Sequence, residues 1–268
     1  MHHTPKVLRV AHFLHSIPFL SHRNQTTMGE EISVLFLLLL SIFSGSAAIL
    51  SFENHCSYTV WPAIISRNGP TLGDGRFSLA PGKLAQLIAE PGWSGRVWAR
   101  TGCNFDASGN GKCLTGDCGS LNCTGDGQPP ITLAQIIIAS GTTDNSFYDV
   151  SLVNGYNVGI GINVTSGTSD CQYAGCIDDL NGNCLPELQV VNVSGLVVAC
   201  KSACEVFNAA QFCCADDYST PETCSPTQYS EHFKKACPNA YSYPYDDVSS
   251  RFTCSGSNYS ITFCPIES

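Results

Sequence analysis

Sixteen cysteines dominate the chemistry open to this chain, and all of them lie between Cys56 and Cys264. An even number of thiols, with none in the first 55 residues, marks an oxidising compartment and predicts eight disulfides. Their spacing alone leaves the pairing open. Histidine is scarce from residue 48 onward, where His55 and His232 are the two present. Zinc binding, Cys-His catalysis and Ser-His-Asp chemistry therefore lack their parts. One segment imitates a calcium loop, Asp106-Ala-Ser-Gly-Asn-Gly111 with Asp117 at the twelfth place. It has neither flanking helices nor a terminal Glu, so a turn in a cysteine-stapled hairpin is the expected reading. No metal and no cofactor are expected, and the chemistry that remains is that of carboxylates, amides and guanidinium groups.

Those groups must be held by a framework that folds outside the cell. The apolar run from Ile32 to Phe43 is too short for a bilayer crossing of ~20 residues, and Ser44-Gly45-Ser46-Ala47-Ala48 offers small residues to a signal peptidase. Residues 1–47 are expected to be a removed presequence, with translation starting at Met28 as a further expectation. Lys6, Arg9, Arg23, Glu30 and Glu31 leave with it, so the formal charge of −9 becomes −10 from 10 basic and 20 acidic residues. This balance excludes a nucleic-acid partner, since neutralising phosphates requires the opposite sign. No integral membrane segment is expected after processing. Asn122, Asn163, Asn192 and Asn258 each begin a glycosylation sequon that a secretory route could use.

Strand signals fill most of the mature chain. Tyr58-Thr-Val-Trp-Pro and Arg96-Val-Trp-Ala-Arg read as strands, Pro81-Gly82 and Pro91-Gly92 as turns. The period of two puts Arg96, Trp98 and Arg100 on one face and Val97 and Ala99 on the other. Further strands are predicted over 131–139, 147–164, 251–254 and 259–264, with Asn154-Gly155 expected to close a type I′ hairpin. Two short helices are predicted from capping boxes, Ser202-Ala-Cys-Glu205 and Ser225-Pro-Thr-Gln228, the second with Pro226 as its first helical residue. Tyr229, Phe233, Ala236 and Cys237 then share a face. Trp61, Trp93 and Trp98 have the chemistry to stack on sugars, although core packing is the commoner fate of tryptophan in strands.

Gly111-Lys-Cys113-Leu-Thr-Gly-Asp-Cys118-Gly-Ser-Leu-Asn-Cys123 resembles the signature of thaumatin-like proteins, the plant pathogenesis-related group five type. Trp98-Ala-Arg-Thr-Gly-Cys103 leads into it as in that family, and Phe147 to Asn157, Gln211-Phe-Cys-Cys214 and Cys237-Pro-Asn-Ala-Tyr-Ser-Tyr-Pro match in order and spacing. The resemblance covers 48–268. It implies a mainly β fold: a flattened β-sandwich core over 48–101, 131–176 and 238–268, a small stapled lobe over 102–130 and a cysteine-rich, partly helical lobe over 177–237. It also implies the bridges Cys56–Cys264, Cys103–Cys113, Cys118–Cys123, Cys171–Cys254, Cys176–Cys237, Cys184–Cys200, Cys204–Cys213 and Cys214–Cys224.

For function, the resemblance implies a groove lined by one Arg, one Glu and three Asp. Arg96, Asp149 and Asp247 match their positions, but the Glu is here Gln135 and one Asp is here Asn154. On these residues the groove carries a single net negative charge. Glycoside hydrolysis needs two carboxyl groups, one held protonated and one ionised, and an amide can be neither. Amides do bind sugar hydroxyls. The expected function is thus a secreted, apoplastic, monomeric defence or cell-wall protein that binds β-1,3-glucan or a related polysaccharide with little or no hydrolysis. A weak endo-β-1,3-glucanase using Asp149 and Asp247 is the second reading, and a hydrolase inhibitor or membrane-perturbing antifungal protein the third. More ordinary roles stand beside these: turn geometry for Asn154, a buried partner for Gln135, and an ion pair from Arg96 to Asp149 or Asp247.

Overall fold

A computed structural model of the chain describes residues 47–73, 77–141, 144–168, 171–255 and 258–266. The predicted presequence, apart from Ala47, lies outside them. In chain order the strands are β1 (Ala48–Asn54), β2 (Val60–Asn68), β3 (Leu84–Ala89), β4 (Ser94–Thr101), β5 (Asn104–Phe105), β6 (Gly111–Lys112), β7 (Leu133–Ile137) and β8 (Ser146–Ser151). They continue with β9 (Ile160–Ser166), β10 (Ala174–Gly175), β11 (Gln189–Val191), β12 (Val197–Cys200), β13 (Phe252–Cys254) and β14 (Asn258–Phe263). Two five-stranded sheets, in the orders β10-β9-β14-β1-β3 and β13-β8-β7-β4-β2, form the body of a mainly β protein. All pairings within them are antiparallel except β1 with β14.

Alternation along the strands decides which side chains meet between the sheets. Leu50, Phe52, Ile160, Ile162, Tyr259, Ile261 and Phe263 from the first sheet join Val97, Ala99, Ala134, Ile136, Tyr148 and Val150 from the second in one buried cluster. The other face of the second sheet carries Arg96, Gln135 and Asp149, which are held in place by a wall already packed behind them. Pro81-Gly82 and Pro91-Gly92 form the corners before β3 and β4. Lys83 N–H bonds Ala80 O, and Trp93 N–H bonds Glu90 O, both at 3.0 Å. The glycines sit at φ +70° and +79°, as the third position of a Pro-Gly turn requires.

Trp93 and Trp98 are fully buried, so packing claims both. Trp98 joins Ala63, Ile131 and Leu133 in a second cluster, against which Cys118 and Cys123 pack. Arg100 is also fully buried. Its Nη1 donates to Ser120 O at 2.9 Å, its Nε to Trp61 O at 3.2 Å, and the guanidinium lies 5.4 Å from the Phe105 ring centroid. Burial pushes it down to about 10, yet it remains a cation at neutral pH and ties the segment 102–130 to the sheet.

Asp106 is occupied as a turn residue. Its Oδ1 accepts the N–H groups of Ser108 and Asn110 at 2.8 and 2.9 Å, while Asp117 Oδ1 accepts from Cys113 N–H at 3.0 Å. Eight disulfides are formed: Cys56–Cys264, Cys103–Cys113, Cys118–Cys123, Cys171–Cys254, Cys176–Cys237, Cys184–Cys200, Cys204–Cys213 and Cys214–Cys224. Among the described residues no helix is long and apolar enough to cross a membrane.

Three local expectations need correction. Asn154-Gly155 closes no hairpin, because β8 and β9 belong to different sheets. Gly155 N–H instead bonds Leu152 O at 2.9 Å, closing a turn whose central residues are Val153 and Asn154. Gly155 follows at φ +83°, where an added Cβ would lie 2.6 Å from Cys200 O. The second predicted helix runs over Gln228–Ala236 with Thr227 as its cap: the Thr227 hydroxyl accepts from Ser230 N–H, and Ser230 Oγ accepts from Thr227 N–H at 2.8 Å. Ser225 and Pro226 lie outside it, since Thr227 and Ser230 already satisfy the free amides of the first turn. In the first predicted box, over the helix Ala203–Phe207, Ser202 Oγ accepts from Glu205 N–H at 3.2 Å, whereas the Glu205 carboxylate lies toward Lys201 Nζ.

Candidate functional site

The exposed face of the second sheet carries a groove of about 710 Å³. Arg96 on β4, Gln135 on β7 and Asp149 on β8 occupy one register row across three neighbouring strands. Asn154 enters from the turn after β8, and Asp247 from the first residue of the helix Asp247–Ser250. All five line the same hollow.

Hydrogen bonds link the row into a relay. Arg96 Nε donates to Gln135 Oε1 at 2.9 Å, and Gln135 Nε2 donates to Asp149 Oδ1 at 2.9 Å. A donor on one side and an acceptor on the other fix which way the amide faces. Gln135 thus spends one lone pair and one N–H on protein partners and keeps one of each for a ligand. The ion pair of Arg96 is with neither Asp149 nor Asp247. Its Nη1 lies 3.3 Å from Asp126 Oδ2, while Arg67 Nη2 reaches both oxygens of Asp126 at 2.9 and 2.7 Å. A single carboxylate from the segment 102–130 therefore serves two arginines.

Across the groove, Tyr241 donates its hydroxyl to Asp247 Oδ1 at 2.7 Å. Burial and that bond hold the Tyr241 hydroxyl above its ordinary range, so it stays a donor. Arg251 places its guanidinium over the Phe147 ring, 4.8 Å from the centroid. Asp149 is pushed up to about 6. Burial is the leading cause, and it outweighs the Gln135 bond and the attraction of Arg251 and Arg96; repulsion from Asp247 adds a smaller push. Desolvation, rather than crowding by other acids, is thus what raises it.

Sequence reasoning missed four residues of this site: Arg67, Asp126, Tyr241 and Arg251. Asp126 sits in turn-rich surroundings with no periodic signal, and Arg67 stands at the end of β2, beyond the strand segment read from Tyr58 to Pro62. Tyr241 lies inside the matched segment Cys237-Pro-Asn-Ala-Tyr-Ser-Tyr-Pro and Arg251 opens the predicted strand 251–254, so both could have been proposed from segments already recognised.

A profile of the thaumatin family matches residues 54–265. The chain belongs to the thaumatin family. Within it, the chain is similar to Pathogenesis-related protein 5 of Arabidopsis thaliana, at 56% identity over 241 residues, covering 89% of this chain and 100% of that protein. A protein of Prunus avium named Glucan endo-1,3-beta-glucosidase is 48% identical over 236 residues, covering 86% of this chain and 96% of its own length. Among solved structures, the thaumatin-like xylanase inhibitor aligns with a TM-score of 0.44 and 26% identity, over 81% of this chain and 99% of that one.

Proposed function

We propose that this thaumatin-family protein is a secreted defence or cell-wall protein whose groove binds β-1,3-glucan or a related polysaccharide with little or no hydrolysis. The observation that carries the reading is the clasp of Gln135 between Arg96 and Asp149. A position where the resemblance implies an ionisable acid holds an amide instead, already engaged as a relay and unable to exchange a proton. Asp247, Asn154 and the free valences of Gln135 offer hydrogen bonds to sugar hydroxyls around it. Eight disulfides suit an extracellular location. Asn163 and Thr165 of one sequon are exposed on β9, which suits glycosylation there, whereas Asn258 accepts from Ile49 N–H and its Tyr259 and Ser260 are buried.

One observation favours weak endo-β-1,3-glucanase activity as a second reading. A carboxyl raised to about 6 is suited to act as a general acid, with Asp247 as the second carboxyl group lining the groove. Release of reducing ends from a soluble β-1,3-glucan separates the two readings. The wild type is expected to bind the glucan in a pull-down and release almost nothing. Gln135→Glu combined with Asn154→Asp is expected to raise turnover about tenfold or more, within the span that positioned acids supply. Substantial turnover by the wild type, lost in Asp149→Asn, would instead establish the enzyme.

A further inference from the structure

The groove is less acidic, by one charge, than its sequence-derived quintet implies. Arg67 and Arg251 line it together with Arg96, and Asp126 stands beside two of them. Three guanidinium groups thus face three carboxylates, Asp126, Asp149 and Asp247, and the local sum is zero rather than negative. The two signs are also satisfied differently. Asp149 and Asp247 each receive a neutral donor, Gln135 and Tyr241. The cations are under-partnered. Arg67 and Arg96 share Asp126, and among the described residues the Arg251 guanidinium has no hydrogen bond or ion pair.

A guanidinium fork matches a carboxylate through two parallel N–H bonds, and Arg251 already rests over the Phe147 ring before any ligand arrives. Holding the side chain beforehand removes part of the ordering cost of binding. We propose that the groove recognises a carboxylate-bearing polysaccharide, a uronate-containing glycan, with Arg251, beside the β13 edge, taking one carboxylate and Arg96 and Arg67, on β4 and β2, lining the far side of the groove. This rests on the saccharide-binding reading and names the class of its ligand.

The overall negative charge does not oppose it. At physiological ionic strength charges beyond ~8 Å are screened, so the groups lining the groove decide. The groups facing Asp149 are Gln135, Arg96, Arg251 and Asp247, with Tyr241 beside them. As the pH falls through about 6 Asp149 becomes neutral, while a sugar carboxyl of ordinary acidity, near ~4, stays ionised. Uronate affinity therefore rises from pH 7 to pH 5.

The test is titration calorimetry of the intact, disulfide-bonded protein with an oligogalacturonate and with a β-1,3-gluco-oligosaccharide of equal length. The wild type at pH 5 is expected to prefer the uronate by about tenfold or more, and to lose that preference in high salt. Arg251→Ala should reduce the preference about tenfold with an unchanged melting temperature, and Arg251→Lys should restore part of it. Equal or tighter binding of the neutral oligosaccharide, or a preference indifferent to Arg251, overturns the uronate proposal and leaves saccharide binding standing. Binding of neither sugar overturns both.

Discussion

Asp149 links the chemistry of the groove to the stability of the fold. Its ordinary value of 3.8 is raised to about 6 in the folded protein, so folding favours the protonated form. The stabilisation this gives is complete below the ordinary value and is lost as the pH rises through about 6. Asp149→Asn keeps an uncharged acceptor for Gln135 and removes the titration. The variant is therefore expected to gain stability relative to wild type between pH 4 and 7, by at most about 3 kcal/mol. Thermal melts of both proteins across that range check it, and a difference that does not change with pH would refute it. The amide at 135 could be read from the sequence only through the resemblance. That it would be clasped by Arg96 and Asp149 depends on the three strands standing in register, which no local pattern specifies. Asp126 was invisible for the same reason, because it reaches Arg67 and Arg96 from a segment placed by Arg100 and two disulfides.

At the scale of elements, the helix Gln228–Ala236 is the clearest case of a signal read correctly in kind and wrongly in place. Its apolar spacing is the buried face, with Phe233 and Cys237 in the core. Two overlapping cap patterns, Ser225 with Gln228 and Thr227 with Ser230, compete in the sequence, and the second is made. Thr227→Ala is expected to cost about 1 kcal/mol in guanidinium unfolding, and Ser225→Ala close to nothing. Equal costs would return the cap to Ser225. The strands were legible because two-residue alternation follows directly from burial on one side. Their assignment to two sheets was not, and the error at Asn154-Gly155 shows why: a turn dipeptide between two apolar runs predicts a reversal of the chain, whether or not the flanking strands pair. Here the reversal carries the chain from one sheet to the other, and it delivers Asn154 to the groove.

For the molecule as a whole, the disulfides differ greatly in what they constrain. Cys56–Cys264 spans a sequence separation of 208, and Cys118–Cys123 one of 5. In the chain-entropy picture the first contributes about 5 kcal/mol and the second about 2. Replacing each pair by serines and comparing unfolding midpoints is expected to follow that order, and a larger loss from the short loop would show that local packing outweighs loop closure. The long bridge accompanies the parallel pairing of β1 with β14, in which Leu50 stands opposite Tyr259 and Asn54 opposite Phe263. During synthesis the first strand to emerge has no partner on that side until the last one leaves the ribosome. For nearly the whole of translation β1 therefore offers an open edge of apolar residues, and an edge of that kind invites pairing with the strands of other chains.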